Sequence, residues 1–110
     1  MSLNGIWKIE MLGIYDWEAR ATAFMEDGRY WAGSANHYVV GGYEFDGNTV
    51  IAKMTIVAHG KSRTLFGKTA DRHDIHFEAE VSNGTFQGVA RDGDGRVLVQ
   101  YRGTKLADLP

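Results

Sequence analysis

Arg72-His73-Asp74-Ile75-His76-Phe77-Glu78-Ala79-Glu80-Val81 sets the period of the whole chain. His73, Ile75, Phe77, Ala79 and Val81 share one parity, and Arg72, Asp74, His76, Glu78 and Glu80 share the other. Side chains alternate across a strand, so the stretch predicts a strand with one apolar and one polar face. Asn83-Gly84 follows at once, and both residue types tolerate the positive φ that a tight hairpin requires. Asn83 also opens a glycosylation sequon with Thr85, for which a turn is the simpler reading. Residues 85–91 then alternate again through Phe86, Gly88 and Ala90.

The same period extends in both directions. Upstream, Val50, Ala52, Met54, Ile56 and Ala58 fall together, as do Ala19, Ala21, Ala23 and Met25, and Trp7, Ile9 and Met11. Downstream, Val97, Val99 and Tyr101 do so. Asp27-Gly28, Asp46-Gly47-Asn48 and Asp92-Gly93-Asp94-Gly95 supply further turn chemistry between the runs, which makes an antiparallel meander. The expected strands are 4–13, 17–26, 29–33, 38–45, 49–58, 63–69, 71–81 and 85–91, with 96–103 as a candidate ninth. Gly41-Gly42 marks a bulge or sharp bend, residues 33–38 have room for one helical turn, and 59–68 is the longest loop. A meander of this many strands must hide its edges, and closure does so most completely. The expected fold is all-β, a small eight-stranded antiparallel up-and-down β-barrel forming one domain over residues 1–110. A two-sheet sandwich is the alternative.

Composition narrows the function classes. A chain of 110 residues buries roughly 65% of its unfolded surface, enough for a core without staples. The absence of cysteine removes disulfides, thiol nucleophiles and Cys-ligated metals. A formal charge of −2 gives no general pull toward nucleic acid or anionic membrane. No apolar run reaches signal-peptide or membrane-spanning length, so the expected setting is cytoplasmic, with no membrane span and no direct nucleic-acid binding.

The candidate chemical motifs dissolve on inspection. His73 and His76 have odd spacing and face opposite sides of a strand, while His37 and His59 have no carboxylates placed to complete a metal site. Gly60-Lys61-Ser62 ends like a phosphate-binding loop, but Thr55 stands where its first glycine belongs. Asp92-Gly93-Asp94-Gly95 opens like a calcium loop, but Gly103 occupies the position of the bidentate glutamate. Glu78 and Glu80 are what a solvated strand face carries anyway. The chain is therefore read as non-enzymatic, with no catalytic residue, cofactor or metal.

Two binding surfaces remain. An eight-stranded barrel is just wide enough to be filled by its side chains or to hold one small ligand. The many alanines of the inward parity leave room, so an apolar cavity is expected against Ile9, Met11, Met54, Ile56, Phe77 and Phe86, suited to a lipid-like molecule. Trp17, Trp31 and Tyr38 are candidate interface anchors, since aromatics dominate interface energetics.

Gly5-Ile6-Trp7 opens the first strand and Arg102 closes the last. This resembles the calycin pattern of lipocalin-like barrels, a structural signature in which the indole plugs one end under an arginine from the final strand. Over nearly its whole length the chain also resembles the GrlR family, small calycin-like negative regulators of type III secretion and their bacterial relatives. The likeness rests on Asn4-Gly5-Ile6-Trp7-Lys8-Ile9 and on Asp27-Gly28-Arg29-Tyr30-Trp31-Ala32-Gly33 with Ser34 to Tyr38. It continues through Gly42-Tyr43-Glu44-Phe45-Asp46-Gly47-Asn48 and Thr49 to His59. The resemblance implies an eight-stranded barrel, a homodimer, a protein partner such as a transcription activator, and a cavity for a lipid-like molecule. The regulator carries an acidic Glu-Asp-Glu-Asp motif where this chain has Phe45-Asp46-Gly47-Asn48, of which Asp46 alone is charged.

Overall fold

The computed structural model describes residues 2–60, 64–65, 68–69 and 71–110, the two pairs 64–65 and 68–69 by backbone alone. Its strands are β1 (Gly5–Leu12), β2 (Trp17–Glu26), β3 (Arg29–Gly33), β4 (His37–Asp46), β5 (Thr49–Ala58), β6 (Thr64–Leu65), β7 (Lys68–Thr69), β8 (Arg72–Ser82), β9 (Thr85–Arg91) and β10 (Val97–Ala107). Eight of them close a barrel in the order β1-β10-β9-β8-β5-β4-β3-β2, with β2 returning beside β1. Every neighbouring pair is antiparallel, as a meander of hairpins requires.

One end of the barrel is tied by two-residue turns. Asp27-Gly28 and Asn83-Gly84 have positive φ at both positions, which matches the right-handed twist of the flanking strands. Gly47, at φ +64, opens the third. The N-terminal segment folds across this end. Trp7 is 1% exposed, its Nε1 donates to the Leu3 carbonyl at 2.9 Å, and its ring lies 5.0 Å from Phe86. The opposite end carries the longer connections 13–16, 34–36 and 92–96, and there β5 ends and β8 begins. We refer to the two as the closed and open ends.

The barrel has eight strands, but not the expected eight. Within 63–69, β6 pairs with β7 as a separate two-stranded hairpin, while Arg63, Phe66 and Gly67 lie outside the described residues, as do Lys61 and Ser62 of the phosphate-loop look-alike. The candidate ninth strand is instead the eighth wall. β10 runs on to Ala107, and its pairing with β1 closes the barrel. The helical turn expected at 33–38 does not form. Ser34 donates its backbone N–H to the His37 carbonyl at 2.9 Å, so the chain reverses directly from β3 into β4. Gly41-Gly42 is not a bulge either, since β4 stays in register with both β3 and β5. A Cβ on Gly41 would collide with the Lys53 carbonyl, and one on Gly88 with the Glu78 carbonyl. These glycines are the inward corners where one strand's backbone presses against the next.

Register shifts occur elsewhere. One between Val97 and Val99 takes Val97 off the shared face and leaves it exposed. Another sets Ile9 opposite Ala21 and Glu10 opposite Ala19, leaving Arg20 as the extra residue of a bulge. The expected stacking of Arg102 on Trp7 is also replaced. Arg102 lies between inward Tyr101 and Gly103, so parity sends it outside while Trp7 points in. On the outer surface its guanidinium sits 4.4 Å over the Trp17 ring and donates to both carboxylate oxygens of Glu10, at 2.9 and 3.3 Å.

Candidate binding cavity

The small residues of the inward parity decide how full the barrel is. Ala21 and Ala32 leave the middle open, whereas Trp7 and Phe86 fill the closed end. The result is a cavity of about 530 Å³, within the roughly 300–1,000 Å³ of small-molecule sites. Ile9, Met11, Met54, Ile56, Phe77 and Phe86 all face it, and at its far end it reaches Leu3. Phe86 belongs to the aromatic stack under Trp7, with Phe77 edge-on at 5.9 Å and Tyr101 edge-on to Phe77 at 5.6 Å.

Polar groups enter from two places. Deep in the wall, burial pushes the Tyr30 hydroxyl far above its ordinary value, with the Tyr101 phenol adding to the effect. Burial likewise pushes Tyr101 up to about 12, against a weaker opposing pull from Arg20. Burial raises Tyr43 too, offset in part by a backbone hydrogen bond from Gly28. All three phenols therefore stay protonated at neutral pH, as neutral donors and acceptors.

The second source is the open end, where Arg20, Ser34, Asn36 and His37 border the cavity. Arg20 has a side chain 49% exposed and also lines the cavity, which marks the mouth. Its guanidinium meets Glu18 at 2.6 Å. The β3–β4 connection is held in place because the Asn36 carbonyl accepts from the His59 and Gly60 N–H groups, at 2.8 and 3.2 Å. His37 Nε2 is buried and has no hydrogen-bond partner among the described residues. Such an orphan costs about 1–3 kcal/mol, and because the atom has almost no accessible surface, a guest in the cavity does not reach it. His73 Nε2 is orphaned in the same way but does not border the cavity.

Of the candidate interface aromatics, Trp31 and Tyr38 are diagonal neighbours on the outer face of β3 and β4, and Trp17 stands at the start of β2. Trp17 lies half-buried under Arg102. Tyr38 is exposed and stacks on His59 at 6.1 Å. Trp31, also exposed, stacks on Phe24 at 6.1 Å and stands opposite Val40 in the β3–β4 register. Gly5, with φ +152, would clash as any other residue with the Ala107 carbonyl, at 2.9 Å from its Cβ.

Sequence parity missed Arg20, Asn36 and His37. His37 was legible in principle, since it shares parity with Val39 and Gly41. Arg20 carried no such signal, because the bulge that aims it breaks the parity. Compared with known proteins, the chain matches no family model and no curated sequence.

Proposed function

We propose that this barrel is a non-enzymatic carrier or sensor of a small, largely apolar molecule. The observation that carries the reading is the cavity of about 530 Å³, walled mostly by aliphatic and aromatic side chains, with a few tyrosines in the wall and polar residues at the mouth. A pocket with an apolar body and few convergent polar groups is the usual form of a small-molecule site. The absence of cysteine fits a reducing cytoplasmic setting. Native mass spectrometry of the protein from cells, with titration of the neutral fluorophore phenylnaphthylamine, tests the proposal. A co-purified ligand or saturable probe binding that Ala21→Phe abolishes supports it. A ligand-free barrel that excludes the probe would overturn it.

A second reading rests on a different surface. Phe24, Trp31 and Val40 stand side by side across β2, β3 and β4 on the outer face. Apolar rows of this kind mark interaction sites. They support self-association as a homodimer, and with it the regulatory protein partner that the GrlR-like resemblance implies. Sedimentation that finds a strict monomer at high micromolar concentration would remove this reading.

A further inference from the structure

The chain holds two Asn-Gly pairs, and the fold treats them differently. Asn4-Gly5 leads into β1, and Asn83-Gly84 turns β8 into β9. We infer that Asn83 is a site of spontaneous modification, where the native barrel loses ammonia and gains aspartate and isoaspartate. The fold shields Asn4 from the same reaction. The reaction is independent of the cavity and its occupant.

The chemistry needs no enzyme, only water and a reachable neighbour. The Gly84 amide nitrogen gives up its proton and bonds to Asn83 Cγ. The Cγ–Nδ2 bond breaks and ammonia carries that proton away, leaving a cyclic succinimide. Water then adds across either carbonyl–nitrogen bond of the imide. Opening at Cγ gives aspartate, and opening at the main-chain carbonyl gives isoaspartate, with the chain rerouted through the side chain. Water is consumed, ammonia is released, and no oxidation state changes. A following glycine favours the attack, because it has no Cβ to crowd the nitrogen. Asn36 and Asn48 precede His37 and Thr49 and lack that advantage.

Their surroundings separate the two pairs. Asn83 and Gly84 are both exposed, and the β8–β9 ladder stops short of them with Ser82 opposite Thr85. Among the described residues, neither the Asn83 side chain nor the Gly84 N–H has a hydrogen-bond partner. The Gly84 carbonyl is held, by the Lys105 N–H at 2.9 Å. Asn4, by contrast, is half-buried and gripped at both atoms of its amide. The Asp27 N–H donates to Asn4 Oδ1 at 2.8 Å, and Asn4 Nδ2 donates to Asp27 Oδ1 at 3.1 Å. Gly5 is buried in the ladder opposite Met25. Asn4 must break two hydrogen bonds to react, whereas Asn83 needs only a local change in an exposed turn.

The consequence falls on the closed end. The aspartate product fits its turn, since Asp27 already holds φ 49 in the equivalent position of another. The isoaspartate product puts an extra backbone atom into a two-residue hairpin whose geometry sets the strand register. That turn lies beside the Val81–Phe86 pair, and Phe86 packs under Trp7.

Peptide mapping of the full chain, held in warm, mildly alkaline buffer with and without urea, reads both sites at once. In native buffer Asn83 is expected to convert about tenfold faster than Asn4, which must first release two hydrogen bonds. In urea the two should convert at similar rates, since both precede glycine. Asp27→Gly keeps the positive φ but removes the carboxylate, and should bring Asn4 toward the rate of Asn83. The acidic species that accumulates on ion exchange should vanish in Asn83→Gly, a residue suited to the φ of 39 at that position. If Asn83 survives in native buffer yet converts in urea, the turn protects it and the inference is wrong. Equal native rates at Asn4 and Asn83, or an acidic species that persists in Asn83→Gly, would overturn it as well.

Discussion

The two ends of the barrel solve the same problem in opposite ways. At the closed end, two-residue turns with positive φ bring strands together, and Trp7, Leu3 and Phe86 fill the interior. At the open end the connections are longer, the interior is left to a cavity, and the reinforcement has moved outside. There Arg102 spans Glu10 and Trp17 across β10, β1 and β2. Ile14 and Tyr15, at the tip of the β1–β2 connection, are almost fully exposed rather than folded into the opening. An end stabilised from within cannot take a guest, whereas one stabilised from outside can. The division of labour between stability and binding is thus written along one axis.

The sharpest way to break this comparison is to remove the plug. Trp7→Ala deletes the most completely buried large side chain among the described residues and removes the indole donor to the Leu3 carbonyl. The expected loss is about 3–5 kcal/mol, read from urea denaturation midpoints. A loss under about 1 kcal/mol would mean that the closed end is not where the barrel is held.

Glycine substitutions test the turns at a smaller scale. Gly84 adopts φ +75, and a Cβ there meets no atom nearer than the Lys105 Cβ at 4.0 Å. The cost of Gly84→Ala is therefore conformational and should reach about 1–2 kcal/mol. At the open end, Gly93 has no positive φ and open space around it. Gly93→Ala should change stability by less than about 0.5 kcal/mol. Equal effects at the two sites would mean that positive φ is not what sets the cost, and Gly95, at φ +83 in the same open-end connection, should respond as Gly84 does.

The closed end was also the legible end. Asp27-Gly28 and Asn83-Gly84 announce their turns because so few residues accept positive φ, and strict alternation on β5 and β8 gives the inward set of each. Much of the open end is hidden because its features arise from departures from alternation, and the closed end has one of these too, where the pairing of β1 with β10 shifts register between Ile6 and Trp7. The bulge at Arg20 and the register shift before Val99 each change a face without changing the local composition. Closure by β10 was obscured for another reason. Its last four residues, Thr104 to Ala107, lack a plain alternating pattern, and they pair with β1 along the barrel wall. Arg102 was expected on Trp7 because both residues were legible, but their facing sides depend on parity across two different strands. Trp17, which takes the guanidinium instead, has a neighbour that only the closed barrel supplies.

The outer clasp makes the smallest prediction, and pH is the means of isolating it. The hydrogen bond from Arg102 holds the Glu10 carboxyl below its ordinary value, helped by the charges of Arg102 and Lys8 and opposed by burial and by Asp16. A carboxylate whose value is lower in the folded state adds stability above its unfolded value. That contribution fades as pH falls through the lowered folded one. Glu10→Gln removes it, so the variant should be modestly less stable than the parent at neutral pH. On acidification the gap should narrow, because the parent loses the same interaction by protonation. Asp108, which the hydrogen bond from Lys105 also holds low, weakens in acid as well, but it is present in both proteins and cancels from their difference. Urea midpoints for the pair across the acidic range give that difference directly. If the gap stays constant through the range where Glu10 takes up its proton, Arg102 reinforces the open end through Trp17 alone, and the carboxylate is a bystander.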